Sequence, residues 1–552
     1  MSKKRSKKKA GHKANKLTGT SGHAPVSLCM IVKNEERFLE DCLRSVADLV
    51  SEIVIVDTGS TDRTIEIAKT HGARLFEIEW EGDFAKARNY GLKHATQPWI
   101  LYLDADERLH PPFHPLLKQA ISSTNIDAFY VRVSSEVGEM LGSMPHVQAY
   151  PRLFRRKPGV YFTGRIHEQI TPAIRQINGQ FGLLDVEIEH LGYNLTQDEM
   201  VAKVKRNLES LKEQVADEPQ NAYARFQLGQ TLIIAGEIKN GKEQLHKALE
   251  IKGLSEGLEA TIILILANDD YTNKLLYEAI EKIQKALQLA PSQRLGYFLL
   301  SECYALQENY RQAIAALESY WQYADNPFSD VSVDKVILPH LIYQRQATYH
   351  FHLEHFDICI PHYINYFESA PNYRSNALQR LIYAASQTGQ QQTITATLNA
   401  IIPKIAQFDD PLAATQSLLQ PALNGEITID FHQLIQFATD YFPDEGVFAY
   451  YRGNFYLENQ AFENAEMWFN RAIEKSPETF EIHHNLAVTL IKQQKYQQAI
   501  DCFEYIAGNF PEKRELALRR LAGLHMKTGN TEMATRFMIA ANETANSASS
   551  KK

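Results

Sequence analysis

The stretch Ile53-Val54-Ile55-Val56-Asp57-Thr58-Gly59-Ser60-Thr61-Asp62 decides the fold class of this 552-residue chain. Its first five residues predict a buried strand, and Gly59 supplies the turn that follows. Ser60 or Thr61 is placed to cap a helix that we predict over residues 62–71. A strand that passes through a glycine turn into a helix is the building unit of parallel α/β sheets.

The same alternation continues on both sides of this stretch. Strands are predicted at residues 26–32, 53–57, 74–78 and 99–103, and helices at residues 36–47, 62–71 and 83–94. Beyond residue 112 we expect a helix near 115–121, a strand at 128–133, and a mixed-sheet region up to about residue 193. Because strands and helices alternate, we predict an N-terminal α/β domain with a mostly parallel sheet.

A repeat with a period of 34 residues dominates the C-terminal part of the chain. The positions that keep this spacing are Pro443, Pro477 and Pro511, Gly453 and Ala487, Ala465 and Ala499, and Phe469 and Phe503. Small side chains let two antiparallel helices approach closely, and proline ends the second helix because it cannot continue the hydrogen-bond ladder. These residues resemble the tetratricopeptide pattern, which implies an all-α tetratricopeptide-like solenoid.

The sequence divides into six predicted segments. They are a disordered basic tail at 1–24, the α/β domain at 25–198, tetratricopeptide-like repeats at 199–323, degenerate helical repeats at 324–440, tetratricopeptide repeats at 441–545, and a disordered tail at 546–552. The fourth segment keeps helical periodicity but loses the small-residue anchors. Repeat arrays offer long concave surfaces, which suit an acceptor or a partner protein.

The distribution of charge along the chain limits the classes of partner that we expect. The net charge of −8 hides eight Lys and Arg residues between positions 3 and 16, a segment with no acidic residue. Such a tail suits contact with anionic lipid, RNA or the ribosome, or stays solvated. The acidic remainder argues against nucleic acid as the main partner.

Five cysteines without a C-x-x-C pair predict reduced thiols in a cytoplasmic protein. The longest apolar run is far shorter than the ~20 residues of a transmembrane helix, so we expect neither membrane insertion nor export. The sequence leaves the oligomeric state open, a homo-oligomer included.

Four polar blocks fall at predicted strand ends or in the turns that follow. They are Met30-Ile31-Val32-Lys33-Asn34-Glu35-Glu36, Val54 to Asp62, Asp83-Phe84-Ala85-Lys86-Ala87-Arg88-Asn89, and Asp104-Ala105-Asp106-Glu107. Open α/β sheets bind ligands outside the carboxyl ends of their strands, so these blocks point into one crevice. The crevice requires a ligand with hydrogen-bonding groups and negative charge.

The residue types in these blocks suit a nucleotide and a divalent cation. Asp57 can accept hydrogen bonds from a base or ribose, and the guanidinium of Arg88 matches phosphate oxygens. Asp104 and Asp106 are two residues apart after a buried strand, so both carboxylates face the same side, where hard oxygen ligands favour Mg²⁺ or Mn²⁺. Structural alternatives remain open: Asp57 and Asp62 as turn and cap residues, and Arg88 paired with a local carboxylate.

The four blocks resemble the family 2 glycosyltransferases of the GT-A fold, the Rossmann-like nucleotide-diphospho-sugar transferases, closely over residues 26–110. The resemblance implies a nucleotide-diphosphate sugar, with UDP favoured, as donor and a divalent cation as cofactor. It implies the following roles: Val32, Asn34, Glu36 and Asp57 in the uracil-ribose pocket, Arg88 at the diphosphate, Asp104 near the ribose, and Asp106 at the metal.

A later motif, Gly164-Arg165-Ile166-His167-Glu168, together with His190-Leu191-Gly192-Tyr193, extends the similarity to bacterial glycosyltransferases that include the SunS-type peptide glycosyltransferases. Inverting transfer needs a base for the acceptor proton, and Glu168 is our candidate. His167 is predicted to complete the metal shell with Asp104 and Asp106 or to share the base role, and His190 is a weaker candidate for the same pocket. A hydrogen-bonded structural loop is the alternative for His167 and Glu168. The acidic dipeptide common in this family has no clear equivalent between residues 127 and 165.

The leading hypothesis is a metal-dependent hexosyltransferase. It would transfer a hexose or N-acetylhexosamine to a peptide, protein or cell-surface glycan, with the repeats binding the acceptor or a partner. The alternative is a non-catalytic tetratricopeptide scaffold with a degenerate nucleotide-sugar domain, which the joint presence of Asp57, Arg88, Asp104 and Asp106 disfavours. Nucleotidyl transfer is a third option, but the first strand lacks a Gly-rich phosphate loop.

Overall fold

The computed structural model describes residues 23–135, 146–191, 197–323 and 339–549. The chain forms two compact units, Met1–Leu338 and Pro339–Lys552. Most of the predicted basic tail, the Gly192-Tyr193 end of the histidine motif and the first part of the predicted degenerate segment lie outside the described residues. The division between units falls inside that predicted degenerate segment, so the six predicted boundaries stay predictions.

The first unit begins with an eight-stranded mixed sheet. Its strands are β1 (Ala24–Val32), β2 (Val50–Asp57), β3 (Arg74–Glu77), β4 (Trp99–Tyr102), β5 (Glu107–Leu109), β6 (Ala128–Ser135), β7 (His146–Arg155) and β8 (Phe181–His190). The spatial order is β3-β2-β1-β4-β7-β6-β8-β5. The first four strands in that order are parallel, β7 runs antiparallel to β4 and β6, and β5 runs antiparallel to β8. The predicted parallel core and mixed region are both confirmed.

The short helices that accompany this sheet in the described part of the domain are α1 (Leu39–Val46), α2 (Thr64–Thr70), α3 (Phe84–His94), α4 (His114–Ala120) and α5 (Thr171–Gln176). Helix α3 lies close to β2 because Gly91 has no side chain; a Cβ there would lie 3.2 Å from a methyl carbon of Val56. Arg88, three residues before Gly91 on α3, is buried as well. Helix α3 therefore places a charged group inside the domain.

One local prediction was wrong. Neither Ser60 nor Thr61 caps α2, whose preceding residue, Arg63, makes no side-chain cap hydrogen bond. Instead Asp62 accepts from the Thr64 amide at 3.0 Å, while the Ser60 hydroxyl accepts from the amide of Asn34 at 2.9 Å. The Ser60 hydroxyl therefore links the loop after β1 to the turn after β2. These two segments lie side by side because β1 and β2 are paired in register.

Within residues 197–323, the first unit continues with the helices α6 (Gln197–Asp217), α7 (Ala222–Ile234), α8 (Ile238–Glu250), α9 (Glu256–Thr272), α10 (Leu276–Leu289), α11 (Arg294–Leu306) and α12 (Tyr310–Gln322). Helices α7 and α8 pack as one repeat pair. A Cβ on Gly229 of α7 would lie 2.7 Å from the Leu245 side chain of α8, so the glycine allows the close approach that the repeat pattern predicts.

The second unit is helical over its described residues. Its helices are α13 (Pro339–His352), α14 (Phe356–Ser369), α15 (Ser375–Thr388), α16 (Gln391–Ile401), α17 (Pro411–Leu423), α18 (Phe431–Tyr441), α19 (Gly446–Glu458), α20 (Phe462–Lys475), α21 (Phe480–Lys492), α22 (Tyr496–Asn509), α23 (Arg514–Lys527) and α24 (Thr531–Ser549). Pro443, Pro477 and Pro511 follow the ends of α18, α20 and α22. The predicted tetratricopeptide-like region is confirmed. None of the helices in the described ranges is long and apolar enough to cross a membrane.

Candidate active site

The carboxyl ends of β1 and β2 form the first part of the site. Val32 and Asp57 end these strands and are paired in register. The Asp57 carboxylate is almost fully buried, and its Oδ1 accepts from the amides of Gly59 and Ser60, both at 2.9 Å. Its Oδ2 is buried and has no hydrogen-bond partner within the described residues. Because a buried acceptor without a partner is costly, this oxygen suits a donor group of a ligand.

The loop after β1 is tied to the turn after β2 by predicted site residues. Asn34 has a left-handed backbone (φ 57°), and its side-chain oxygen accepts from the Thr61 amide at 2.8 Å. Glu36 donates its amide to Asp62 at 3.1 Å and accepts from the amide of Arg63 at 3.2 Å. The side-chain oxygens of Asn34 and Glu36 therefore stabilise the turn after β2 by accepting hydrogen bonds from its backbone amides. The nucleotide-binding role predicted for these residues stays a prediction.

Arg88 is the centre of the second part of the site. Its Nη2 donates to Asp104 Oδ1 at 2.7 Å, and its Nε donates to Glu168 Oε1. The guanidinium is 7% exposed and lies 5.0 Å from the ring centre of Tyr102. Its Nη1 is buried without a partner among the described residues. Arg88 thus pairs with two carboxylates, in agreement with the structural alternative that the sequence left open. Its Nη1 group is still available to donate to a ligand.

Arg152, on β7, is a second buried arginine that the sequence interpretation missed. Its Nη2 contacts Glu107 Oε1 and lies 3.7 Å from Asp104 Oδ2, and its guanidinium lies 4.4 Å from the Tyr102 ring centre. Burial raises the pKa of Asp104, but the charges of Arg88 and Arg152 outweigh it and hold that pKa well below its usual range. Asp104 therefore remains ionised between two guanidinium groups.

Asp106 faces a different partner. Its Oδ2 lies 3.3 Å from His190 Nε2, at the end of β8. Burial lowers the pKa of His190, but the hydrogen bond and charge of Asp106 more than compensate, so the net shift is upward. The histidine thus gains affinity for a proton at a point where a metal cation would compete with that proton.

Glu35 joins the two parts of the site electrostatically. Burial, together with the negative charges of Asp106, Asp104 and Asp62, raises the pKa of Glu35 to about 7. Carboxylates from the loops after β1, β2 and β4 are therefore close enough to repel one another. A site of this kind favours a cation, since like charges that face a common space raise each other's pKa.

The predicted trio of Asp104, Asp106 and His167 is not assembled as a ready metal site. In the part of the chain that the structure describes, no three His, Cys, Asp or Glu side chains are grouped so that they could hold a metal ion by themselves. His167 is exposed, and Asp104 is paired with two arginines. Asp106 with His190, supplemented by ligand oxygens, fits a divalent cation better, because oxygen and imidazole donors suit Mn²⁺.

Two family models match parts of this chain. Residues 27–176 match the family model of Glycosyl transferase family 2, and residues 432–478 match a Tetratricopeptide repeat model. The N-terminal part is a family 2 glycosyltransferase domain. Its mixed sheet is GT-A-like, and the C-terminal region is of the tetratricopeptide type, so the family resemblance and the fold class predicted from the sequence are confirmed.

Relatives of this chain come from several bacteria. A TPR repeat-containing protein of Synechococcus elongatus is 33% identical over 48% of this chain and 66% of its own length. The SPbeta prophage-derived glycosyltransferase SunS of Bacillus subtilis is 26% identical over 46% of this chain and 62% of its own. The lipopolysaccharide core biosynthesis glycosyltransferase LpsC of Rhizobium meliloti is 30% identical over 29% and 62%. The matches thus span less than two thirds of these relatives.

Among solved structures, Staphylococcus aureus TarS (residues 1–349, with UDP-GlcNAc) aligns over 54% of this chain and 91% of that chain, at 16% identity and a TM-score of 0.30. A TM-score this low supports no conclusion about ligands.

Three of the predicted site residues, Arg88, Asp104 and Glu168, are in direct contact in the glycosyltransferase domain. Two residues of the same network had no predicted role. Glu107 stood in the quoted Asp-Ala-Asp-Glu block, and its near-complete burial is the property that the sequence did not reveal. Arg152 lies beside buried Leu153 in a strand, and a charged residue next to a buried strand position is only a weak signal of function.

Proposed function

We propose that the protein is a metal-dependent, inverting glycosyltransferase that transfers a hexose or N-acetylhexosamine from a UDP-sugar. The observation that carries the proposal is the buried contact of Arg88 with both Asp104 and Glu168. Through this contact the Arg88 guanidinium links Asp104, in the acidic motif after β4, to Glu168, the candidate base. A scaffold that had lost its activity would have no need to retain this arrangement of buried charges, because each charge is expensive to bury.

Each residue has a role in the proposed reaction. Asp57 Oδ2 accepts a hydrogen bond from the base or ribose of the nucleotide, and Arg88 Nη1 donates to the diphosphate. Glu168 takes the proton from the acceptor hydroxyl as the bond to the anomeric carbon forms and the bond from that carbon to the diphosphate oxygen breaks. Arg88 Nε holds the Glu168 carboxylate in place before the reaction.

Asp106 and His190 are the side chains that would hold Mn²⁺ or Mg²⁺. When bound, such a cation neutralises charge on the departing diphosphate. His190 must give up its proton first, so the upward shift of its pKa makes metal binding weaker at low pH. Asp104 stabilises the site through its arginines and would orient the ribose.

The acceptor belongs to one of two classes, and the proposal includes both. The family resemblance to SunS-type enzymes favours a peptide or protein held by the repeats. The match to a lipopolysaccharide core biosynthesis enzyme favours a cell-surface glycan. Arrays of this repeat type bind proteins along their faces, which gives the first class more support.

Release of UDP from UDP-glucose or UDP-N-acetylglucosamine tests the proposal. We expect the full-length protein with Mn²⁺ to release UDP, and Asp106→Ala to reduce the rate at least about 100-fold, the usual scale for loss of a group that stabilises charge. Asp185→Ala is the matched control, because that aspartate is 85% exposed on β8. If the native protein binds and hydrolyses neither donor, the non-catalytic scaffold is the better explanation.

A further inference from the structure

The loop that carries Glu168 has a conformation that needs support. Its ends are closed by two hydrogen bonds, from the Thr163 amide to Gln169 O at 2.9 Å and from the Gln169 amide to Thr163 O at 2.8 Å. Between them, Gly164 (φ 99°) and His167 (φ 54°) have left-handed backbones. Left-handed geometry is costly for a residue with a side chain, so the His167 conformation persists only if neighbouring groups hold it. We call residues 163–169 the Glu168 loop.

A helix of the first repeat contacts this loop. The Tyr223 hydroxyl, on α7, donates to the His167 carbonyl at 3.4 Å and accepts from Gln227 Nε2 at 2.7 Å. Burial raises the pKa of Tyr223, so the hydroxyl keeps its proton and stays a donor. Helix α7 packs against α8 through Gly229, so the contact comes from a repeat pair rather than from the sheet.

The contact acts on Glu168 through the peptide bond. The His167 carbonyl, the Glu168 amide and the Glu168 Cα belong to one planar group, so fixing the carbonyl also restricts the position of the Cα that carries the Glu168 side chain. A second link comes from α6, where Asp217 pairs with Arg165 at 2.5 Å, and a third from the Phe84 amide, which donates to the Arg165 carbonyl at 2.9 Å. The loop is thus held by α3, α6 and α7 together.

We propose that the first repeat is part of the catalytic apparatus, with Tyr223 as a positioning residue that holds the Glu168 loop. The repeats then do more than bind an acceptor or partner, because one of their helices orients the base. This inference rests on the proposed role of Glu168. It predicts that removing a single hydroxyl from α7 weakens catalysis in the domain before it.

Hydrogen exchange on the full-length protein tests the positioning directly, and needs neither donor nor acceptor. In Tyr223→Phe, we expect the amides of Thr163 and Gln169 to exchange about 3- to 10-fold faster, the scale of one lost hydrogen bond. Tyr277→Phe on α10 is the matched control, because the Tyr277 side chain is 82% exposed. In this variant the amides of the Glu168 loop should exchange at the same rate as in the native protein. Unchanged exchange in Tyr223→Phe would overturn the inference.

Kinetics separate this inference from the proposed function. For UDP release from the UDP-sugar that the native protein uses, Tyr223→Phe should lower kcat about 3- to 10-fold and leave the donor KM and the UDP-binding stoichiometry unchanged. Unchanged stoichiometry excludes a smaller folded fraction. If Glu168→Gln keeps full activity, the proposed base is wrong. If Glu168→Gln is inactive but Tyr223→Phe has the native kcat, only the positioning role is wrong.

A second substitution guards against misfolding. Gln227→Ala keeps the tyrosine but removes the amide that donates to its hydroxyl, so loop exchange should again become faster. If Tyr223→Phe does not fold and Gln227→Ala folds with native loop exchange, the inference also fails.

Discussion

Arg88 and Glu168 are 80 residues apart in the sequence and form a buried ion pair in the structure. Arg88 also contacts Asp104, which is shared with Arg152, and Arg152 contacts Glu107. The result is a chain of alternating charges from the candidate base to the acidic motif after β4. Each carboxylate is stabilised by a neighbour, so substitution of one member should affect the others.

Arg88→Gln should lower the free energy of unfolding by about 3–5 kcal/mol, because it leaves Glu168 without its buried cation and Asp104 with Arg152 alone. Arg132→Gln is the matched control. Its partner Asp185 is 85% exposed, so the loss should stay below about 1 kcal/mol. Urea denaturation, followed by a signal from the first unit, measures both. Equal losses would mean that the network contributes no more than a surface ion pair.

Asp57→Asn should weaken UDP binding about tenfold, or about 1.4 kcal/mol, without changing stability. The asparagine oxygen can still accept from the amides of Gly59 and Ser60, but its amide nitrogen replaces the buried Oδ2 acceptor. Titration calorimetry with UDP measures the affinity, and a thermal melt checks the fold. Native affinity in a correctly folded variant would place the nucleotide elsewhere.

Glu35 predicts a pH dependence of stability. Its pKa of about 7 in the folded protein is above the ordinary 4.5, so between these values the folded state binds more protons than the unfolded state. The free energy of unfolding therefore falls as the pH rises through this window. Native protein should therefore lose more of its free energy of unfolding than Glu35→Gln between about pH 5 and about pH 8, by about 1 kcal/mol because solvent screens a partly exposed carboxyl. Urea denaturation at several pH values in this range measures the free energy of unfolding of both proteins. If the two plots against pH were parallel, Glu35 would be solvated in the folded protein and the prediction would be wrong.

Gly453 predicts a packing effect in the second unit. An added Cβ would lie 2.7 Å from the buried ring of Phe469, so Gly453→Ala should reduce the free energy of unfolding by about 1–3 kcal/mol. Gly523 is the matched control, since it is also inside a helix but has no atom within 4 Å of the added Cβ. Gly523→Ala should stabilise by about 0.5–1 kcal/mol. If Gly453→Ala also stabilised the protein, the two helices could move apart around the added methyl group at no cost.

The sequence by itself determined the two fold classes, and it predicted most of the polar groups of the candidate site. Strand and helix periodicities placed Asp57, Asp104 and Asp106 at strand ends, where parallel topology must bring them to one edge. The spacing of the repeat prolines located the ends of α18, α20 and α22. These features depend on local backbone geometry and on side-chain size, which a short stretch of sequence specifies.

Only the tertiary structure decided how the charges are paired. In the folded protein, Asp104 pairs with two arginines and Asp106 pairs with His190. Tyr223, on a repeat helix, contacts the loop that carries Glu168. These contacts join residues that are far apart in the chain. They depend on the relative placement of whole elements, such as the approach of α3 to β2 over Gly91, and no local pattern encodes that placement.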